Sequence, residues 1–423
     1  MMKKIIGAKV LLDGILQEKE VLFDEEQILA VGEDLFCEGE IIDAQGLTLL
    51  PGLVDVHVHL REPGQEQKET IATGSKAAAA GGFTTILAMP NIYPFPNDAE
   101  VMKDYLQLIE KEALVHVLPY GTITRDEKGE VPSDYAGMKE EGIRWFSDDG
   151  VGVASAEVMQ EALQKAKEAD VLFACHTEDM NYRKPGASVH EAPYAAEQGW
   201  IGIPSLCESA QLSRDLKLVE KSGNRYHGCH ISAIESLEAL REAKAHGADV
   251  SAEVTAHHLL LENTDVKGTN WKMNPPLRTH EDRMALIAAL EEGTLDFIAS
   301  DHAPHTEADK DKPMASAAFG IVSLETSFAL LYTEFVVRQQ RWSLARLVDW
   351  MSYKPAQRFG LDKIGKIAVG YRPDLILVDL QTERRIKAKD FFSKGRNTPF
   401  DGWSVQATVM RTIVDGKTVF ERN

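Results

Sequence analysis

Cysteine is scarce in this chain of 423 residues: the four are Cys37, Cys175, Cys207 and Cys229. No two form a C-x-x-C pair, and the spacing is no disulfide framework, so a small disulfide-stapled scaffold is excluded and a reducing cytoplasm is the expected compartment. Basic residues are the second shortage. Lys and Arg number 46 against 66 Asp and Glu, a formal net charge of −20. A surface so negative opposes the Lys/Arg contacts that nucleic-acid binding needs, and it opposes docking on anionic membranes, so neither partner is expected. Long apolar runs are the third. No stretch approaches the ~20 apolar residues of a membrane span. The opening Met1-Met2-Lys3-Lys4 leads to no long apolar run before the Asp13-Gly14 turn, and no secretory signal is expected. What the chain does have is an ordinary 44% of hydrophobic residues, enough at this length for a well-buried core.

The first fifty residues read as short strands, at 9–12, 19–23 and 27–31, separated by turn signals such as Asp13-Gly14 and Asp24-Glu25. From Pro51 a β-rich run followed by a helical run repeats. The strands are read at 53–60, 84–89, 115–124, 143–149, 171–176, 226–231, 250–256 and 296–300. The helices between and after them are read at 68–80, 98–113, a short one ending at Gly142, 155–169, 208–221, 233–246, 280–292 and 324–340. Eight such units are the number that closes a (β/α)₈ barrel. Beyond Gly360 strands return at 374–379, 408–414 and 417–420, the last two joined by an Asp415-Gly416 hairpin turn. The expected architecture is an α/β chain: residues 1–51 and 361–423 form one small β-sandwich domain, and residues 52–360 form a TIM-like barrel. The loops 177–205 and 301–323 are longer than usual βα connections, so both are candidates to cover a substrate; 306–317, rich in Asp and Lys, is the expected lid.

Strand one carries Asp55-Val56-His57-Val58-His59. Residues two apart share a face, so His57 and His59 should point inward together while Val56 and Val58 face the helices. Alone, H-x-H is weak and could be two ordinary strand histidines. His176 at the end of strand five, His230 near the end of strand six, Asp301 at the end of strand eight and Asp149 at the end of strand four change that. All would lie on the rim where barrel enzymes place their chemistry. Four histidines and two carboxylates converging there suit one or two Zn²⁺ ions. Asp148 competes with Asp149, since alternation gives the neighbours opposite faces. Cys175 and Cys229 directly precede ligand histidines, and alternation points both outward as small buried hydrophobes.

These ligands together resemble those of the amidohydrolase superfamily, and four longer strings resemble the dihydroorotase family within it. They are His59-Leu60-Arg61-Glu62-Pro63-Gly64, Ala88-Met89-Pro90-Asn91, Lys272-Met273-Asn274-Pro275-Pro276-Leu277-Arg278 and Ser300-Asp301-His302-Ala303-Pro304-His305. The resemblance covers essentially the whole chain. It implies that His57, His59 and Asp301 hold one zinc, that His176 and His230 hold another, and that Asp149 bridges them. Many superfamily members bridge with a carbamylated lysine; the string Ile143-Arg144-Trp145-Phe146-Ser147-Asp148-Asp149 has none and matches the bacterial subgroup that uses an aspartate. Substrate ligands implied in the same way are Arg61, Asn91 and His305, with Asn274 beside them and Phe319 and Gly320 in the later signature. A guanidinium suits a ring carboxylate, although Arg61 could instead make a surface salt bridge, His305 could be an unpartnered loop histidine, and Asn274 could hold the Pro275-Pro276 turn. The chain departs from the family pattern at Ile92-Tyr93, Ala318 and Ser323.

The implied activity is reversible hydrolysis and cyclisation between dihydroorotate and N-carbamoyl-L-aspartate in de novo pyrimidine (UMP) biosynthesis. Asp301 would carry a proton from water to the leaving ring nitrogen. A homodimer is implied too, and some relatives depend on aspartate transcarbamoylase. One rival is another cyclic amidohydrolase, an allantoinase or hydantoinase, though these usually need the bridging lysine. The rival of a different class is an inactive dihydroorotase-like scaffold for aspartate transcarbamoylase, though such scaffolds typically lose ligands that this chain keeps.

Overall fold

Short apolar strands alternate with capped helices from Leu53 onward, and the strands close on themselves. In the computed structural model, which describes residues 1–422, the barrel strands are Leu53–Val58, Phe83–Ala88, His116–Pro119 continuing as Gly121–Thr122, Trp145–Ser147, Leu172–Cys175, Arg225–Gly228, Val250–Thr255 and Phe297–Ala299. Neighbours pair in parallel around the ring. The seam between strands eight and one is a parallel bridge of Val58 to His302, and the His59 N–H donates to the His302 carbonyl at 2.9 Å. Side-chain caps at Thr70, Asp98, Ser155 and Thr279 start four of the helices that wrap it.

The eighth unit departs from the expected single helix over 324–340. A short helix, Ser327–Leu331, runs into a π-helical stretch, Tyr332–Arg338, and two more helices follow at Leu344–Met351 and Tyr353–Arg358. The last of these closes the lower end of the barrel. Ala356 and the adjoining Phe359 join Val54, Leu87, Trp145, Leu172 and Phe297 in an apolar interior cluster.

Two expectations about facing are corrected. Val56 belongs to that interior cluster rather than to the helix-facing shell, which does contain Val58. The pairing register with strand two slips between Asp55 and Val58, and this bulge lets Val56 and His57 both turn inward. Cys229 also lies in the interior, whereas Cys175 packs outward as expected. Cys229 lies two residues from His227, whose ring stacks on Phe297 in that interior, and His230 still reaches the rim because its φ of 33° turns its side chain inward where simple alternation would send it out.

Strands from the two chain ends interleave in a β-sandwich. One sheet is Ile28–Gly32, Glu20–Phe23, Lys3–Ile6 and Glu40–Asp43; the other runs Lys417–Glu421, Thr408–Val414, Leu375–Asp379, Thr48–Pro51, Lys9–Leu12 and Ile15–Glu18. The join is Leu375–Asp379 lying antiparallel to Thr48–Pro51. Ile5, Val21, Phe23, Leu49, Leu375 and Ile413 fill the space between the sheets. The other face of the larger sheet packs on helix Ile71–Gly81, where the Thr412 hydroxyl donates to the Ala79 carbonyl at 2.6 Å. The C-terminal segment does not stay in the sandwich: Ile386, Phe400 and Val405 pack with Met273, Met314 and Ile321 beside the loops after strands seven and eight. Among the described residues no helix is long and apolar enough to cross a membrane.

Candidate metal centre and active site

Histidines and carboxylates from five strand tips meet at the upper end of the barrel. His57 Nε2 lies 3.3 Å from Asp149 Oδ1 and 3.6 Å from Asp301 Oδ1. His59 Nε2 lies 3.3 Å from Asp149 Oδ2 and 3.3 Å from Asp301 Oδ1. His230 Nε2 is 3.6 Å from Asp149 Oδ1, and His176 Nδ1 sits 3.0 Å from that same His230 nitrogen. Two groups have the spacing of a metal site, His57–His59–Asp301 and His57–Asp149–His230. His176 reaches the second from its edge, 3.9 Å from Asp149 Oδ1. Asp149 thus stands between the two groups. Asp148 faces away, where its carboxylate accepts the Thr124 N–H at 3.0 Å.

Buried partners aim these side chains. His57 Nδ1–H donates to Glu253 Oε1 at 2.7 Å, which leaves Nε2 facing the carboxylates. Glu253 also accepts from His227 Nε2 at 3.1 Å and from the His230 backbone N–H at 3.3 Å. Burial opposes its charge, but His57 and His227 hold its carboxyl at about 2. His59 Nδ1–H donates to Asn91 Oδ1 at 2.9 Å, and His176 Nε2 lies 3.4 Å from Glu178 Oε2. Carboxylate or carboxamide partners of this kind fix the tautomer of a metal-binding imidazole.

The two adjacent aspartates show what this environment does. Burial alone raises Asp148 to about 7 despite its Thr124 bonds. Asp149 is as deeply buried, yet the charge on His57 and the closeness of the His230 and His57 nitrogens hold its carboxyl well below the usual range. Asp301 is lowered likewise, against its burial, chiefly by the His59 imidazole 3.3 Å away. His57 Nε2 and Asp149 Oδ1 are buried with no hydrogen-bond partner among the described residues. Orphaned atoms on facing nitrogen and carboxylate donors, with second-layer carboxylates behind them, fit a divalent first-row cation.

A pocket of about 230 Å³ opens above this centre. A larger cleft of about 1070 Å³ lies at the sandwich, lined by groups such as Lys9, Lys19 and Glu33 and remote from the histidines. Arg61 and His305 form one wall of the smaller pocket, with Arg61 Nη2 3.4 Å from His305 Nε2. Arg61 is buried, and its Nε donates to the Pro304 carbonyl at 3.4 Å. His305 Nε2–H donates to the Phe319 carbonyl at 2.6 Å; burial and the Arg61 charge bring its pKa down to about 2, so it is a neutral imidazole. Phe319 and Gly320 line the same side, and a Cβ on Gly320 would come 2.6 Å from that of Ala303, at a φ of 126°. Asn91 and Asn274 line the pocket as well, but both amides have protein partners. Asn91 accepts from His59, and Asn274 Nδ2 donates to Glu178 Oε2 at 2.8 Å.

Comparison with known proteins decides the family. Residues 46–236 match the family described as Dihydro-orotase-like. A curated dihydroorotase of Geobacillus kaustophilus (strain HTA426) is 51% identical over 415 residues, covering 97% of this chain and 96% of that protein. One from Bacillus pumilus (strain SAFR-032) is 50% identical over 407 residues, covering 96% and 94%. The chain belongs to the dihydroorotase family. Among solved structures, the L-hydantoinase (dihydropyrimidinase) of Arthrobacter aurescens superposes with a TM-score of 0.88 at 26% identity, covering 100% of this chain and 96% of that one. The dihydropyrimidinase of Brevibacillus agri NCHU1002 gives 0.86 at 25%, with 100% and 95% covered. The fold is therefore that of the cyclic amidohydrolases, a metal-dependent group, and within the dihydroorotases this chain has Asp149 at the centre of its cluster.

Sequence reasoning missed Glu253, Glu178 and Arg183. Glu253 had a signal: one acid inside the otherwise uncharged strand Val250–Thr255. Arg183 lines the pocket, pairs with Glu178, and lies 4.7 Å above the Phe319 ring, while Lys272 covers that ring at 4.1 Å. Nothing local marks Arg183, which sits in the long loop after strand five. Of the departures from the family pattern, Tyr93 is exposed, and the Ser323 hydroxyl donates to the Ser300 carbonyl at 2.9 Å, just behind Asp301.

Proposed function

We propose that this dihydroorotase-family chain is a zinc enzyme that opens and closes the dihydroorotate ring, and that Asp301 carries the proton. The observation that supports it most is one pocket uniting the histidine–carboxylate cluster with the buried guanidinium of Arg61. His57, His59 and Asp301 would hold one zinc, His176 and His230 a second, and Asp149 would bridge. A bound divalent cation supplies Lewis acidity, which acidifies water and polarises a carbonyl oxygen. Arg61 takes the ring carboxylate of dihydroorotate, with Asn91, Asn274, His305, Phe319 and Gly320 around it. Asp301 accepts a proton from the attacking water as the oxygen–carbon bond forms, then delivers it to the ring nitrogen as the carbon–nitrogen bond breaks. The same groups in reverse order form the ring from N-carbamoyl-L-aspartate. Loop 306–317 excludes water while this happens.

Residues 1–51 and 361–423 supply the flanking domain, with a stretch near 386–405 reaching out to the barrel loops, and 52–360 the catalytic one. A homodimer and association with aspartate transcarbamoylase complete the reading and rest on the family resemblance, while a cytoplasmic location rests on the few, unpatterned cysteines. The deciding experiment follows loss of dihydroorotate absorbance with purified protein, with allantoin and hydantoin in parallel. Turnover of dihydroorotate alone, abolished by a chelator and restored by zinc, is the expected result. No turnover of any ring by zinc-loaded protein, with or without aspartate transcarbamoylase, sinks the reading in favour of a scaffold.

A further inference from the structure

The substrate wall of the pocket is built on loop 301–323, and that loop is held from outside the barrel. Asn397 lies in the C-terminal segment, 92 residues beyond His305 in sequence, and is buried at 3% exposure. Its Oδ1 accepts the His305 backbone N–H at 3.1 Å. Its Nδ2 donates to the Ala303 carbonyl and to the Gly320 carbonyl, each at 3.0 Å. Its own carbonyl accepts the Val322 N–H at 2.9 Å. One residue, by its carboxamide and its own carbonyl, therefore ties the outgoing limb of the loop, at 303–305, to the returning limb, at 320–322. Buried backbone groups must find partners, and Asn397 partners both limbs at once.

The turn that presents Asn397 is itself fixed. Glu69 is fully buried; it accepts the Lys394 N–H at 3.1 Å and the Ser393 hydroxyl, and lies 3.4 Å from His302 Nε2. The Ser393 and Phe392 N–H groups donate to Glu325 Oε1 at 3.1 and 2.9 Å. Gly395 presses so close that a Cβ there would meet Val322 Cγ1 at 2.5 Å and Pro304 Cβ at 2.9 Å.

We propose that Asn397 is a positioning residue for substrate binding: it sets His305 and Gly320 at the spacing that the substrate needs, and it does so without touching the metal cluster. The proposal rests on the dihydroorotase reading above. Small displacements of a binding group carry large kinetic penalties, so the effect should fall on KM.

The test compares Asn397→Ala and Asn397→Asp with the unaltered zinc-loaded protein. Asp keeps the acceptor for His305 but turns the donor into a charged acceptor facing two carbonyls. KM for dihydroorotate is expected to rise roughly tenfold or more in both, with kcat within about threefold and bound zinc unchanged. Ser393→Ala, which loosens the turn from behind and keeps every Asn397 bond, should raise KM by a smaller factor and serves if the first two fail to fold. Amide hydrogen exchange without substrate gives a readout independent of turnover: Asn397→Ala should speed exchange in 303–322 and leave strand one unchanged. An unaltered KM in folded Asn397 variants, or exchange in 303–322 as slow as in the parent, overturns the proposal. A parent protein that turns over no dihydroorotate sinks the functional reading instead, while the exchange result still judges the clamp.

Discussion

The two ends of the barrel are built to opposite rules. At the lower end Phe359 meets the rings of Tyr120, Trp145, His227 and Phe297 with centroids 5.3–6.4 Å apart, and its carbonyl accepts the Trp145 indole N–H at 3.2 Å. At the upper end His57 Nε2 and Asp149 Oδ1 are buried and unpartnered. Leaving such atoms unsatisfied costs about 1–3 kcal/mol each, so the upper end is a site whose stability waits on a ligand, while the lower end supplies stability without one. A catalytic barrel separates the two tasks along one axis.

The sharpest way to break the contrast is at the upper end. Asp301→Asn should lower kcat roughly 10³-fold or more, because the side chain can no longer accept a proton, while circular dichroism reports an unchanged fold. A variant with near-normal turnover would remove Asp301 from the proton transfer. The mirror experiment is Phe359→Ala. Emptying the plug should cost about 3 kcal/mol in denaturant unfolding, with kcat of the folded enzyme near normal. An equal loss of kcat would mean that the two ends are not separable.

A smaller effect tests the seam below the barrel. His116, which begins strand three, has Nε2 3.3 Å from Asp374 Oδ2 and 3.6 Å from Asp415 Oδ1 in the sandwich. Burial opposes the imidazolium, but the bond and charge of Asp374 outweigh it and raise the pKa above 6.5. A raised pKa in the folded state stabilises below the unfolded value and loses that contribution as pH climbs through the folded value. The melting temperature should therefore fall as pH rises above 6.5, by the equivalent of less than about 1 kcal/mol, and His116→Gln should flatten that slope. A slope that persists in the variant assigns the titration elsewhere.

Much of this was legible in one dimension. Helix 280–292 has in the structure the bounds expected from the sequence: Gly293, a local stop signal, ends it, and the structure adds the Thr279 side chain that caps its start. His57, His59, His176, His230, Asp149 and Asp301 were marked by one rule, a metal-ligand side chain at or near a strand tip. The π-helical stretch Tyr332–Arg338 and the plug helix Tyr353–Arg358 were not legible, since nothing in local periodicity distinguishes a helix wrapping a barrel from one capping it.

The sequence alone determined the repeat of strand and helix, the two β-rich ends and the types of donor at the rim, because each follows from residues within a few positions of one another. Tertiary structure decided the rest. A bulge at 55–58 and a positive φ at His230 overrode alternation and brought His57 and His230 inside beside Val56 and Cys229. Thr124 took Asp148 and left Asp149 to the centre, and Asn397 reached back across 92 residues to hold His305. Those outcomes depend on which distant backbone groups come within 3 Å or so, and hydrogen bonds are that short. No spacing along the chain encodes that distance.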